Sequence, residues 1–409
     1  MYSIKFNTLI KRQLQALKKS GAYKTERVLE SPQSAMVKVN RRQLLMFASN
    51  NYLGLANDPR IKQAAKKSLE RYGFGMSSVR FICGTSTLHK KLEGQLAKFL
   101  GTEDVILFSS CFAANEAFFA SLVNQTGLAE EQAVIYSDEL NHASIIDGLK
   151  LVKSRLFVKR IFPHNDMKAL EKMLMEDKKK NYPVKIIASD GVFSMEGELA
   201  DLPQLIKLAE KFQALLFIDD SHGVGACGKS GQGSPEALKV SGQVDVLSGT
   251  LGKALGGAAG GYLAGKSELI EFFRQKARPY TFSNSLPPMI VAAALEALAI
   301  LRKNPAPVKR LSRNTEYFRK KVTAAGFKTI EGLHPIVPIM IGKTALTQKF
   351  STELFKEGLL LPGLWFPVVP EGTARLRAQI SAAHSKQQLD RAIAILTKVG
   401  KKFKLINKR

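Results

Sequence analysis

Lys253 lies in the run Ser248-Gly-Thr-Leu-Gly-Lys-Ala-Leu-Gly-Gly-Ala-Ala-Gly-Gly261, directly after an apolar, strand-like stretch. Small residues on both sides of a lysine let a flat ligand and a second chain approach closely. A lysine held among apolar neighbours is less basic than one in water and can form a Schiff base. The same run also reads as a glycine-rich surface loop. A second segment, Phe217-Ile-Asp-Asp-Ser-His-Gly-Val-Gly225, ends an apolar run in the carboxylate of Asp219 and sets His222 three residues on. A buried carboxylate there can keep a pyridine nitrogen protonated, as a pyridoxal ring needs, and the imidazole can reach the ring's phenolic oxygen. The bland alternative is an aspartate capping a turn beside a satisfied loop histidine.

Two further segments carry polar groups at the ends of apolar runs. Leu107-Phe-Ser-Ser-Cys-Phe-Ala-Ala-Asn115 reads as a strand running into a helix start, whose free N–H groups suit a phosphate. Cys111 within it is a candidate thiol. No His or Lys nearby in sequence activates it, so its backbone is the part that matters. Asn141-His142 follows another strand-like run, and an imidazole so placed can stack on a flat ring.

These groups need a scaffold that brings strand ends together. Strand-like runs occur at 104–108, 133–137, 155–160, 185–189, 215–219, 245–248 and 261–264. Helical patterns lie between them at 88–100, 166–178 and 202–212, with Thr87, Asn165 and Asp201 at their starts. Apolar strands alternating with amphipathic helices predict an α/β fold with a mostly parallel seven-stranded sheet covered on both faces. Ligands of such sheets bind at the carboxyl ends of the strands. From Pro287 the pattern changes to helices at 288–303 and 306–325, strand-like 336–341, a helix at 345–357, strand-like 359–361 and 374–380, and a closing helix at 386–402. The expected organisation is an N-terminal helix and linker (1–49) packing with the small domain, a large domain (50–286) and a smaller α/β domain (287–409).

Composition narrows the class. The 409 residues are 45% hydrophobic and 23% charged, with 31 Gly and 16 Pro, which argues against disorder and collagen-like repeats. Cys83, Cys111 and Cys227 show no C-x-x-C spacing, which argues against a structural zinc and fits a reducing compartment. No apolar run reaches the roughly 18 residues of a membrane span, so no membrane partner is expected. The first 25 residues hold no acid; they read as an amphipathic helix with Ile4, Leu9, Leu14 and Leu17 on one side rather than as a transit peptide, and the expected location is the cytoplasm. The formal charge of +26 comes from 61 Lys+Arg against 35 Asp+Glu. The basic residues are spread along the chain without interleaved aromatics or a zinc-finger, RRM or KH signature, so no nucleic-acid partner is expected. A polyanionic cofactor or substrate suits this field better.

Taken together, Thr250–Ala259, Asp219-x-x-His222 and Asn141-His142 resemble the α-oxoamine synthase family of fold type I pyridoxal-phosphate transferases, over essentially the whole chain. The resemblance implies pyridoxal 5'-phosphate as cofactor and an acyl-CoA as partner. It implies Lys253 as the Schiff-base lysine, Asp219 as the pyridinium partner, and His222 and Ser194 at the phenolic oxygen. It implies His142 as the stacking residue, Cys111 and Phe112 as backbone donors to the phosphate, and Thr250 as its hydroxyl donor. Phe282 and Ser283 match positions that reach the phosphate of the other subunit, which implies a homodimer. Asn50, His142 and Arg377 match positions that hold the substrate, with Arg375 a rival two residues away. The stretches Gly73–Thr85, Asn141–Gly148, Asp190–Met195, Arg278–Ser285 and Phe366–Pro370 are most similar to members that join glycine to acetyl-CoA. The open alternatives are members that use alanine with a pimeloyl thioester or glycine with succinyl-CoA, and a basic nucleic-acid-binding protein on an inactive fold.

Overall fold

The computed structural model describes residues 2–20, 23–130 and 132–407. Its centre is a seven-stranded sheet of β1 (Asp104–Phe108), β2 (Ala133–Asp138), β3 (Phe157–Phe162), β4 (Val184–Asp190), β5 (Leu215–Asp219), β6 (Val246–Thr250) and β7 (Gly261–Gly265). The strand order is β1-β7-β6-β5-β4-β2-β3. β7 runs antiparallel to both of its neighbours, and the remaining pairs are parallel. The central strands are buried nearly end to end, as expected of a sheet covered on both faces. One face carries Phe118, Phe119 and Phe217. The other packs Tyr136, Leu216 and Ile218 under the helices Thr87–Leu100, Leu202–Phe212 and Pro288–Lys303.

The sheet's carboxyl edge is where the polar residues collect. Asp219, Asp190, Asp138 and Thr250 each end a strand there. The chain leaves β1 and enters the helix Cys111–Asn124 through Ser110, whose Oγ accepts from the Ala113 N–H at 3.1 Å. Gly261 opens β7 against that helix start. A Cβ at Gly261 would lie 2.2 Å from the Cys111 nitrogen, so a side chain there would force the two elements apart.

The small domain is built around the three-stranded sheet of Ile336–Gly342, Gly363–Leu364 and Ala374–Gln379, with helices Thr344–Lys356 and Lys386–Lys402. The hairpin Met36–Val39 and Arg42–Met46 joins it by pairing with Leu359–Leu360. Leu45 and Phe47 enter the small domain's core.

Two features bear on the expected organisation. The helix Ile4–Lys19 buries none of its residues in this chain, and Ile4 is 86% exposed. The hairpin, not the helix, ties the N-terminal segment in. The boundary expected at 286/287 also moves. Val291, Ala294, Leu298 and Leu301, then Val308 and Leu311, belong to the large domain's core, and only from Phe318 does the chain enter the other. The crossing therefore falls inside the helix Ala306–Ala324.

Candidate active site

A cavity of about 210 Å³ opens at the carboxyl edge of the sheet, lined among others by Cys111, Phe112, His142, Asp219, His222, Thr250 and Lys253. Residues spread over more than 140 positions of sequence thus meet, because each follows a strand end of the same sheet.

Asp219 is buried at the end of β5. Its Oδ1 accepts from the Ser221 N–H at 2.9 Å, and its Oδ2 from the Asn115 amide at 2.6 Å. Lys253 is half-buried in the loop between β6 and β7. Burial lowers the basicity of its amine, against the opposing pull of Asp219. A less basic amine is available as nucleophile and base near neutral pH.

His142 caps the helix Ala143–Lys150, its Nδ1 accepting from the Ser144 N–H at 3.2 Å. Burial lowers its basicity, partly opposed by Asp219. His222 is buried more deeply. Its Nδ1 lies 2.8 Å from the Tyr52 hydroxyl, and its carbonyl accepts from His334 Nε2 at 2.9 Å. Burial, followed by the nearby Lys253 and Arg377 charges, holds it well below the usual imidazole range. Both rings are therefore shifted towards the neutral form.

Ser110 takes up the N–H groups of Ala113 and Ala114. Cys111 and Phe112 then present first-turn N–H groups that have no intrahelical acceptor. This suits a phosphate. The Cys111 thiol itself is not an activated nucleophile, because burial and then Asp219 raise its pKa. Thr250 lines the cavity, and its hydroxyl donates to the Gly260 carbonyl at 3.2 Å.

The substrate-side candidates separate. Arg375 is buried and engaged, donating to Glu196 at 2.9 Å and to the Met195 carbonyl at 3.2 Å. Arg377 donates through Nε to the Ser194 carbonyl at 2.6 Å, and its positive charge is felt by Lys253, His222 and Tyr52. Asn50 Oδ1 accepts from Gln379 Nε2 and lies 3.4 Å from the Tyr52 hydroxyl, which turns its amide N–H groups away from those partners. Asn50, Ser194 and Arg377 are not among the residues that line this cavity. Phe282 and Ser283 line other cavities, and Phe282 is 72% exposed.

Sequence reasoning missed four polar residues at this site. Asn115 and Ser144 are fully buried between Asp219 and His142. Tyr52 sits against His222. Asp190 lines the cavity, and burial, with Asp219 next, raises its pKa well above the usual carboxylate range. Asn115 had one available signal: it is a polar residue one turn after Cys111 in a largely apolar helix.

The set fits pyridoxal phosphate by its donor chemistry: an amine of lowered basicity, a fixed carboxylate, a neutral flat ring and free N–H groups at a helix start. Among the described residues there is no cluster of metal-ligating side chains and no helix long and apolar enough to cross a membrane.

Residues 42–396 match the family model for class I and II aminotransferases. The chain is 47% identical to 2-amino-3-ketobutyrate coenzyme A ligase of Escherichia coli K12, over 96% of this chain and 97% of that one. It is 44% identical to 8-amino-7-oxononanoate synthase of Thermoanaerobacter pseudethanolicus, over 99% and 100%. A solved serine palmitoyltransferase from S. paucimobilis with bound PLP superimposes with a TM-score of 0.90 at 29% identity, covering 99% of this chain and all of that one.

Proposed function

The chain belongs to the α-oxoamine synthases within the class I and II aminotransferases, and from that premise we propose that it condenses glycine with acetyl-CoA to give 2-amino-3-oxobutyrate and CoA, reversibly. In the forward direction a C–C bond forms between the glycine α-carbon and the acetyl carbonyl carbon. The C–S bond breaks, and the proton lost from the α-carbon ends on the CoA sulfur. Bound pyridoxal phosphate supplies an electron sink for the charge at that α-carbon.

This chain's residues do the rest. Lys253 would hold the cofactor through Nζ and would accept the proton lost from the glycine α-carbon. Asp219 would hold a proton at the ring nitrogen, His142 would bear on the ring, and His222 and Ser194 would serve its phenolic oxygen. Cys111 and Phe112 offer N–H groups to the phosphate, with the Thr250 hydroxyl beside them. Arg377 pairs with the glycine carboxylate in the two-pronged geometry that guanidinium allows, and Asn50 assists. The meeting of Lys253, Asp219 and His142 around one cavity is the observation that carries this reading.

The working unit in this reading is a homodimer, in which Phe282 and Ser283 serve the neighbour's phosphate. The exposure of Phe74, Phe81, Ile82 and Phe282 supports a covered face there. The three free cysteines support a reducing compartment such as the cytoplasm.

A second reading keeps the chemistry and changes the acyl group, since a relative of the other activity is almost as similar. Arg27 is the residue that favours it, as a cation able to hold a distal carboxylate. It stacks on the Phe355 ring at 4.0 Å and faces a separate cavity with Trp365. Initial rates across pairs of amino acid and acyl-CoA decide between the readings. The expected best pair is glycine with acetyl-CoA, with slow use of propionyl-CoA because one methylene discriminates by only ~1–3 kcal/mol. Faster turnover with succinyl-CoA or pimeloyl-CoA would overturn the assignment.

A further inference from the structure

Asn115 is a buried polar side chain that the reaction above leaves without a part. It is fully buried one turn into the helix Cys111–Asn124, among Ala114, Phe118 and Phe119. Both N–H groups of its amide are used. One donates to Asp219 Oδ2 at 2.6 Å, the other to Ser144 Oγ at 2.8 Å. Ser144 is fully buried too, and its Oγ lies 2.7 Å from His142 Nδ1.

The direction of this chain of bonds is set by elementary rules. A backbone N–H can only donate, and the Ser144 N–H points at His142 Nδ1, so that nitrogen is an acceptor. The ring proton therefore sits on Nε2. Ser144 Oγ receives a hydrogen from Asn115, and because Nδ1 is an acceptor the hydroxyl's own hydrogen goes to it. Putting a second proton on this imidazole would place it at Nδ1, against two donors.

We infer that Asn115 is a positioning residue for two ligand-facing groups at once: it holds the Asp219 carboxylate directly and, through Ser144, keeps His142 the neutral Nε2–H form. This rests on the pyridoxal phosphate reading of the cavity. A neutral ring on the cofactor's face adds no charge to compete with the proton at its nitrogen, and Asp219 stays the single partner of that proton. The charged and titratable groups that bear on His142 are Asp219, Lys253 and His222, with Asp190 Oδ1 accepting from its backbone N–H at 3.3 Å. Asp219 favours an imidazolium and Lys253 opposes it. The Asn115–Ser144 chain adds to the opposing side.

Three variants test this on the full-length protein stripped of cofactor and then titrated with it. Asn115→Leu removes both donors at similar volume. Asn115→Asp keeps the shape and replaces the donating amide with a carboxylate. Ser144→Ala cuts only the branch to His142. Two quantities are read: the dissociation constant for pyridoxal phosphate by equilibrium dialysis, and the ¹⁵N shifts and titration midpoint of His142 in the apo-protein.

Asn115→Leu and Asn115→Asp are expected to weaken cofactor binding ~10–100-fold, the range for losing a hydrogen bond to a charged group. Asn115→Leu is also expected to raise the His142 midpoint, because Ser144 Oγ can then turn to accept from Nδ1–H. Ser144→Ala is expected to raise that midpoint with a much smaller change in binding. Binding within twofold of wild type in both Asn115 variants, with His142 unmoved, would overturn the inference. Should Asn115→Leu not fold, an unchanged His142 tautomer and midpoint in Ser144→Ala overturns it instead. Failure of the wild-type protein to bind pyridoxal phosphate would sink the cofactor reading itself, which is a different result.

Discussion

The hydroxyl of Tyr52 lies 2.8 Å from Nδ1 of His222, and both side chains are buried. Tyr52 comes from the segment linking the N-terminal hairpin to the large domain, whereas His222 follows β5. Burial raises the Tyr52 pKa, so the phenol keeps its hydrogen and stays a neutral partner of the imidazole. Tyr52→Phe should fold with a loss of about 1–2 kcal/mol, the cost of one buried hydrogen bond left unmade. Turnover should fall by roughly tenfold, because a similar free energy is lost wherever the His222 ring must be held. Denaturant unfolding and steady-state rates measure the two effects, and unchanged turnover would remove Tyr52 from the site.

Lys253→Ala should abolish turnover and leave the cofactor removable by dialysis. In the proposed reaction the amine is both tether and base, so one truncation removes both roles. Retention of cofactor through exhaustive dialysis, or residual turnover near wild type, would contradict the assignment.

Arg375 and Arg377 differ in what they touch, and their variants should differ accordingly. Arg375→Ala removes a buried guanidinium and leaves the half-buried Glu196 without its cation, and should cost about 3 kcal/mol of stability. Arg377→Ala should leave stability nearly intact and raise KM for glycine by on the order of 10–100-fold, as expected for a lost charge-assisted pair. A KM effect from Arg375→Ala in a folded protein, with none from Arg377→Ala, would exchange the roles.

His384 gives a pH dependence with a definite sign. It stacks on Phe47 with 4.3 Å between ring centroids, donates from Nε2 to the Met46 carbonyl and accepts the Ser381 N–H at Nδ1. Burial lowers its pKa to about 4, against the ordinary value of 6.5 in the unfolded chain. Between these values only the unfolded chain takes up the proton. This contribution is therefore complete above pH 6.5, declines as the pH falls towards about 4, and totals about 3 kcal/mol. Unfolding of wild type and His384→Gln at a series of pH values isolates it. Parallel stability curves for the two proteins would count against it.

Much of the scaffold is readable from residue types. Runs such as Leu215–Asp219 are short, apolar and bounded by polar turns, and each of the seven became a strand of the sheet. Starts were less exact: Ser86 rather than Thr87 caps the helix Thr87–Leu100, since both hydroxyl residues suit the position. Partners of apolar faces were not readable. The periodicity of Pro288–Lys303 shows that a face is buried, but not that the large domain buries it. The helix Ile4–Lys19 is amphipathic by the same rule and is left uncovered. At the site, Lys253, Asp219 and His142 announce themselves because they follow strand ends. Asn115 and Tyr52 do not, since their importance lies in side chains more than 100 positions away.

Identity alone does not choose the acyl group: 47% to one activity and 44% to another are too close. The choice rests on a few side chains around the acyl end, where Arg27→Ala is informative. It should leave acetyl-CoA turnover within about twofold, since an acetyl group offers no distal charge for a guanidinium to hold.

The antiparallel course of β7 has a mechanical consequence. Lys253 lies in a loop of residues 251–260 whose two ends, Thr250 and Gly261, are paired with each other across adjacent strands. The loop is thus clamped at both margins to the stiffest part of the molecule, and no crossover helix intervenes. Ser110 adds a bridge to Gly260 from the helix start. A backbone pinned in this way fixes where the Lys253 amine stands relative to Asp219, which ends the strand paired alongside.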